Sequence, residues 1–375
     1  MSARRSAAEA RSAAASPPRR LRRLELAGAP ERRGEAHGAA LAEAIRRYTD
    51  ERVRLAASGS WSGRAATRED VLRLAEAMLP AHRAYDPDLC DEMEAMAAAA
   101  GISASEAVIV GGFTDFVDAV RARAGAAPEE DDCTAVLVPN ERGGGTAFLA
   151  QTWDMHDTAT EHVVILDVRP ERDPRALVFS TAGCLGQIGM NEAGISIGIN
   201  NLAAAEGRIG VTWPFVVRRA LAQTRIEDAL AAVLDAELTG AHHYLLLDRH
   251  GRGFDVEAMP ARKRVRELRS EILLHTNHCL HDETRAHEAH RAPELVASSH
   301  ARLARAQELL ASGPVDAERL MAMTRDSEAI CQRSRPPFHI ESSGAMVMRP
   351  ARGELWAVWG LPSENEYEHL AFAAA

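Results

Sequence analysis

With 375 residues, 46% of them hydrophobic and 26% charged, the chain can bury one large core or two modest ones and has the balance of a globular protein. Its formal net charge of -10 excludes the cationic footprint that nucleic acid or an anionic membrane surface requires, and leaves a small molecule as the expected partner. Five scattered cysteines (Cys90, Cys133, Cys184, Cys279, Cys331), odd in number and without CxxC spacing, argue against a disulfide framework or a four-cysteine zinc site and point to a reducing, cytoplasmic setting.

The first residues, 1–23, read as a disordered Arg/Ala/Ser-rich arm without the apolar block of a secretory signal, and no stretch is long and apolar enough to span a bilayer. Lys263 is the only lysine and alanine is abundant, a usage expected of a GC-rich bacterial genome. From Gly34 to about Arg123 apolar residues recur at three and four, with helix starts at Thr67-Arg-Glu-Asp70 and at the capping box Ser103-Ala-Ser-Glu106, so residues 24–132 read as a helical N-terminal segment. The run from Arg121 to Asp132 is small, acidic and contains Pro128, and reads as an exposed linker.

The period then switches to two. A hairpin is predicted from Cys133, with strands over Thr134 to Val138 and Thr146 to Thr152 around a glycine-rich turn. Further strands are expected over Val163 to Val168, Ala176 to Thr181, Ile195 to Asn200, His243 to Leu247, Phe254 to Ala258, Ile272 to Thr276, Ala345 to Met348 and Glu354 to Trp359. Helices are expected at about Pro214 to Leu234 and between Glu294 and Met323, so residues 133–375 form an α+β segment of antiparallel sheets covered by helices.

Three chemistries compete. Cys133 opens a strand behind a flexible acidic linker; placed there, it could attack the carbonyl of Asp132, shift the acyl group from nitrogen to sulfur and be freed by water. The released α-amine, with an ordinary pKa of about 8, could then serve as base to its own thiol. On spacing alone, a small buried cysteine at a strand start explains the same pattern. Gly194-Ile-Ser-Ile-Gly198 matches an esterase elbow formally, but Ser196 sits among alternating apolar residues and reads as a plain strand residue. The region His275 to His281 around Cys279, with His287 and His290 beyond it, could bind zinc in a metal-dependent hydrolase, although its spacings fit no HExxH or paired CxxC signature. A catalytically inactive binding protein of the same fold is the non-enzyme alternative.

Seven stretches in order carry a resemblance: Leu26 to Gly38 (LAGAPERRGEAHG), Asp132-Cys-Thr134, Gln151-Thr-Trp-Asp154, Gly189-Met-Asn-Glu-Ala-Gly194, His275-Thr-Asn-His278, Ile330-Cys-Gln-Arg333 and Trp359 to Tyr367. From Leu24 onward the chain resembles the penicillin acyltransferase-like family of cysteine Ntn hydrolases, peptidase family C45. The resemblance implies an αββα sandwich and a zymogen cleaved between Asp132 and Cys133, whose N-terminal fragment stays bound as a partner of the rest. It implies Cys133 as nucleophile, Asp154 as the acid that organises its surroundings, Asn277 as an oxyanion-stabilising amide, and Gln151, Trp153 and Arg333 as substrate-binding residues. The chemistry implied is hydrolysis or transfer of the acyl group of a small-molecule amide or acyl thioester, with no cofactor and no metal. Two positions depart from the family pattern: Asp132 stands where relatives often carry glycine, and Gln332 where arginine follows Ile-Cys, with Arg333 one place later.

Overall fold

Alternating residues point to opposite faces of a strand, and a strand buried on both faces reads as a continuous apolar run. The central strands here are of that kind, and the computed structural model, which describes residues 20–60, 63, 65–121 and 132–372, arranges them as two stacked sheets between helical layers. The N-terminal segment contributes β1 (Arg22–Gly28) and helices α1 (Pro30–Ser58), α2 (Arg68–Glu76), α3 (Leu79–Tyr85), α4 (Pro87–Ala100), α5 (Ala104–Gly111) and α6 (Phe113–Arg121). After Asp132 come β2 (Cys133–Val138), β3 (Phe148–His156), β4 (Val163–Pro170), β5 (Ala176–Thr181), β6 (Ile188–Asn191), β7 (Ser196–Leu202), α7 (Trp213–Leu221) and α8 (Ile226–Asp235). The chain continues through β8 (Ala241–Leu247), β9 (Gly253–Ala258), β10 (Lys263–Glu267), β11 (Leu273–His275), α9 (Asp282–Arg285), α10 (Pro293–Leu310), α11 (Ala317–Thr324), β12 (Ile340–Arg349), β13 (Glu354–Trp359) and β14 (Glu368–Ala371).

One sheet runs β1-β4-β5-β6-β7-β8-β9-β10 and the other β11-β2-β3-β12-β13-β14. Strands β2 and β3 lie against β7 and β8, α7 and α8 cover the outer face of the larger sheet, and α10 and α11 cover the smaller. In β2 this geometry is readable residue by residue: Ala135 and Leu137 join the core between the sheets, whereas Val136 and Val138 pack with Ala306, Leu310 and Met323 of the outer helices. The expected αββα architecture is therefore present. It differs from the sequence reading in one pairing, because β1 runs parallel to β4, from Arg22 opposite Val164 to Gly28 opposite Pro170, while every other named ladder is antiparallel. The described residues of the segment 24–132 are thus a strand followed by helices, and β1 begins inside the residues read as an arm. Residues 1–19 of that arm and 122–131 of the linker lie outside the described residues.

Buried polar contacts fasten the N-terminal segment to the rest. Glu92 of α4 lies between Arg33 (2.7 Å) and Arg218 of α7 (2.8 Å). Burial alone would raise its carboxyl, but the two guanidiniums outweigh it and hold Glu92 below its ordinary value. From α6, Asp115 accepts the Trp213 backbone N–H (2.7 Å) and Asp118 accepts those of Ala204 (3.0 Å) and Ala241 (3.1 Å). Each bond satisfies a buried main-chain donor that would otherwise cost about 1–3 kcal/mol. Among the described residues, no single helix is long and apolar enough to cross a membrane.

Candidate active site

Cys133 is 1% exposed and starts β2 directly opposite Trp153 of β3, so the peptide bond before it lies where the small sheet meets the loop that follows β11. That bond is held at both ends. The Asp132 carbonyl accepts the backbone N–H of Asp154 (3.0 Å), and the Cys133 N–H donates to Oδ1 of Asn277 (2.7 Å). The Cys133 carbonyl accepts from Nη1 of Arg302 on α10, which also reaches Thr134 Oγ1 (3.2 Å).

Asn277 is fixed by everything around it. Its N–H donates to Ser299 Oγ (2.9 Å), its Nδ2 donates to the Asn201 carbonyl (3.0 Å), and its carbonyl accepts from Arg291. Its Oδ1 takes a second bond, from Arg302 Nη2 (3.0 Å). In this geometry Asn277 offers an acceptor to the Cys133 nitrogen, and its amide N–H is committed elsewhere; the donor aimed at the Asp132 carbonyl is the Asp154 backbone N–H. The loop carrying Asn277 is anchored at His275, which meets Glu257 (3.0 Å) and stacks on His243 with ring centroids 3.6 Å apart.

Asp154 is fully buried at the third-last position of β3, where Ser342 Oγ donates to Oδ1 (2.6 Å) and Thr152 Oγ1 to Oδ2 (3.4 Å). Burial pushes its carboxyl up to about 7, against the opposing pull of Arg302 and the Ser342 bond. The carboxyl is therefore shared between its two protonation states near neutral pH. Ser342 in turn accepts the Gln332 N–H (2.9 Å), so the Ile330-to-Arg333 stretch reaches the site through its backbone. The Arg333 side chain instead points to Glu364 (2.6 Å) and is half exposed.

Gln151 spends both ends of its amide on the facing sheet: Oε1 accepts the Ile199 N–H (2.8 Å) and Nε2 donates to the Ile199 carbonyl. Trp153 borders a recess onto which Cys133 opens, together with Met155, Ile199, Asn201, Trp213 and His242. Its free space of about 20 Å³ is room for one water molecule. The opposite wall comes from the N-terminal segment, through Tyr48, Val110, Gly111, Phe113 and Thr114. A larger hollow of about 420 Å³ beside Arg33, Tyr85 and Arg219 contains none of the expected site residues.

The other candidate chemistries find different surroundings. Ser196 lies within β7 with its hydroxyl on the Leu247 carbonyl (3.1 Å), which is a strand position and not an elbow. His275 is spent on Glu257, His278 on Ser299 Oγ (2.7 Å), and burial raises the Cys279 thiol. Among the described residues, no group of three or more His, Cys, Asp or Glu side chains is placed to hold a metal ion.

Sequence reading missed Arg302, which touches both Asp132 and Cys133. It is fully buried on α10, on the same helical face as Leu295, Ser299, Ala306 and Leu310. A lone arginine on an otherwise apolar and small stripe at three-and-four spacing was the available signal, because a charge is placed there only when something buried pairs with it.

A family model described as acyl-coenzyme A:6-aminopenicillanic acid acyl-transferase matches residues 141–360. A curated relative, the 40 kDa form of acyl-coenzyme A:6-aminopenicillanic-acid-acyltransferase of Emericella nidulans, is 25% identical over 256 residues, covering 68% of each chain. Among solved structures, a mutant of conjugated bile acid hydrolase from Clostridium perfringens is similar at a TM-score of 0.42 and 13% identity, covering 64% of this chain and 97% of that one. Penicillin V acylase from Agrobacterium tumefaciens follows at 0.36 and 12% identity, covering 60% and 82%. The family match spans more than half of the sequence and includes Asp154 and Asn277: the chain belongs to the acyl-coenzyme A:6-aminopenicillanic acid acyl-transferase family.

Proposed function

We propose that this chain is a self-processing cysteine amidohydrolase or N-acyltransferase that cuts itself between Asp132 and Cys133 and then works through an acyl-enzyme on Cys133. The observation that carries the reading is the grip on the peptide bond before Cys133, with a donor on its carbonyl (Asp154 N–H, 3.0 Å) and an acceptor on its N–H (Asn277 Oδ1, 2.7 Å). As the Cys133 sulfur attacks the Asp132 carbonyl, negative charge grows on an oxygen that already faces a fixed N–H. As the C–N bond breaks, the nitrogen takes a proton and its growing positive charge meets Oδ1 of Asn277. Water then releases the Asp132 carboxyl and leaves a free α-amine on Cys133, still beside Asn277 and able to accept the thiol proton.

Turnover repeats these steps with an external acyl group. The curated relative is named for acyl transfer to 6-aminopenicillanic acid; for this chain we assign a small-molecule amide or acyl thioester as donor, and water or an amine as acceptor. The cut would leave the two fragments joined by the β1–β4 ladder, the Arg33–Glu92–Arg218 cluster and the Asp115 and Asp118 bonds.

Intact-mass analysis of the purified protein beside Cys133→Ala tests the proposal. Dividing 40.6 kDa in the ratio 132 to 243 residues gives fragments of about 14 and 26 kDa. The wild type should give both, the larger beginning at Cys133, and co-elute as one species; the variant should stay whole. A wild-type chain that remains whole after long incubation ends the proposal.

A further inference from the structure

The residue before Cys133 is an acid, and the fold has built a place for its side chain. Asp132 is 2% exposed. Its Oδ1 lies 2.8 Å from Arg302 Nη2 and 3.7 Å from Arg291 Nη2, and its Oδ2 accepts from Ser298 Oγ at 2.9 Å. Arg302 Nε donates to the same Ser298 hydroxyl (3.3 Å), so α10 presents a hydroxyl and a guanidinium side by side to one carboxylate. Both arginines are held in place by main-chain carbonyls, Arg302 by that of Cys133 and Arg291 by that of Asn277. Each arginine therefore has an anchor besides Asp132.

We propose that this Arg302–Arg291–Ser298 cluster is the carboxylate-binding part of the acyl subsite, and that the preferred acyl donor is a half-amide or half-thioester of a short dicarboxylic acid. The inference rests on the self-processing reading. In that reaction the sulfur of Cys133 adds to the Asp132 carbonyl, the C–N bond breaks with its electron pair going to nitrogen, and the thiol proton ends on that nitrogen. The product is a thioester in which Asp132 itself is the acyl group. The first acyl-enzyme this chain makes is thus a thioester of the N-terminal fragment through its terminal aspartyl residue, whose side-chain carboxylate lies two carbons from the reacting carbonyl and is seated on the cluster. Hydrolysis adds water across that thioester, restores the thiol and releases the chain end. A substrate that offers a carboxylate at the same two-carbon spacing then meets the same groups in the same relation to Cys133.

Electrostatics favours such an occupant. Removing one partner from a buried ion pair leaves its charge uncompensated. The other buried acid near Arg302 is Asp154, whose carboxyl is pushed up toward neutrality by burial and supplies only part of a counter-charge at pH 7. An apolar acyl group on the cluster would bury guanidinium against hydrocarbon, whereas a carboxylate restores the pairing that the uncut chain shows.

The test uses the fully processed enzyme and three aryl thioesters: succinyl, 4-methylpentanoyl, in which an isopropyl group replaces the carboxylate at equal size, and phenylacetyl. Hydrolysis rates are read together with the mass of acylated Cys133. The succinyl donor should exceed both others in kcat/KM by at least 10-fold, and Ser298→Ala should shrink that ratio several-fold. Equal or faster acylation of Cys133 by the 4-methylpentanoyl or phenylacetyl donor overturns the carboxylate subsite and leaves the self-processing reading standing. If processed enzyme forms no acyl-Cys133 with any donor, the catalytic reading itself falls and takes this inference with it.

Discussion

Replacing Asp154 by asparagine in a Cys133→Ala background, where no cut can occur, isolates what burial does to that carboxyl. The folded chain holds it at about 7 against an ordinary 3.8, a gap of about 3 units. At about 1.4 kcal/mol per unit this corresponds to about 4 kcal/mol of pH-dependent stability. Below 3.8 both the folded and unfolded chains carry the proton. Between 3.8 and about 7 only the folded chain does, so unfolding releases it and stability falls as pH rises; above about 7 neither carries it and the curve is flat. The amide introduced by Asp154→Asn can still accept from Ser342 but has no proton to lose. Urea unfolding of the two proteins between pH 4 and pH 8.5 should show the asparagine variant gaining on its parent by about 1.4 kcal/mol per unit up to about pH 7, and nothing beyond. A difference that stays constant over that range means Arg302 and Ser342 cancel the desolvation, Asp154 ionises as an ordinary carboxylate, and its shared protonation at neutral pH is lost as an argument.

Two further substitutions separate structure from chemistry. Gln151→Leu removes both bonds to Ile199 and strands a buried N–H and C=O. It should cost about 2–5 kcal/mol in unfolding free energy; retained stability with a raised KM would instead assign Gln151 to the substrate. In an exposed helix Gly→Ala stabilises by up to about 1 kcal/mol, but a Cβ at Gly38 would stand 2.3 Å from the Met96 carbonyl where α1 crosses α4. Gly38→Ala should therefore destabilise by about 1–3 kcal/mol, read as a lowered melting temperature in the Cys133→Ala protein; an unchanged or raised one refutes the close crossing.

Of the strands that sequence reading missed, β6 (IGMN) is interior but too short to show a pattern, and the other three share a physical cause. β1 (RRLELAG), β10 (KRVRE) and β14 (EHLA) all lie at sheet edges, where one side of the strand is unpaired and charged side chains protect it. The apolar runs that mark central strands such as β2 and β5 are broken there by charge, and the parallel partnership of β1 with β4 joins residues more than a hundred positions apart, which no local pattern encodes. Cys133 drew notice because it stands at a change of period behind an acidic run, and the resemblance, not the spacing, singled it out as the proposed nucleophile. The roles of Asn277 and Gln151 were not, since an amide advertises neither which end it uses nor which sheet it faces, and Asp154 gives no sign in sequence of the burial that lifts its carboxyl.

If the chain is cut as proposed, the architecture gives the N-terminal segment a reason to stay. The recess onto which Cys133 opens takes Tyr48, Phe113 and Thr114 from before Asp132, and Trp153, Trp213 and His242 from after it. Phe113 and Thr114 of the first wall share α6 with Asp115 and Asp118, which hold the backbone N–H groups of Trp213, Ala204 and Ala241. Trp213 is itself in the second wall, so one carboxylate, that of Asp115, both docks the segment and fixes the recess it lines. Losing the segment would strand three buried N–H groups, expose the β4 edge that β1 covers, and open one side of the recess to water. Docking and pocket formation are the same set of contacts, and severing the chain at Asp132 removes a covalent link without touching any of them.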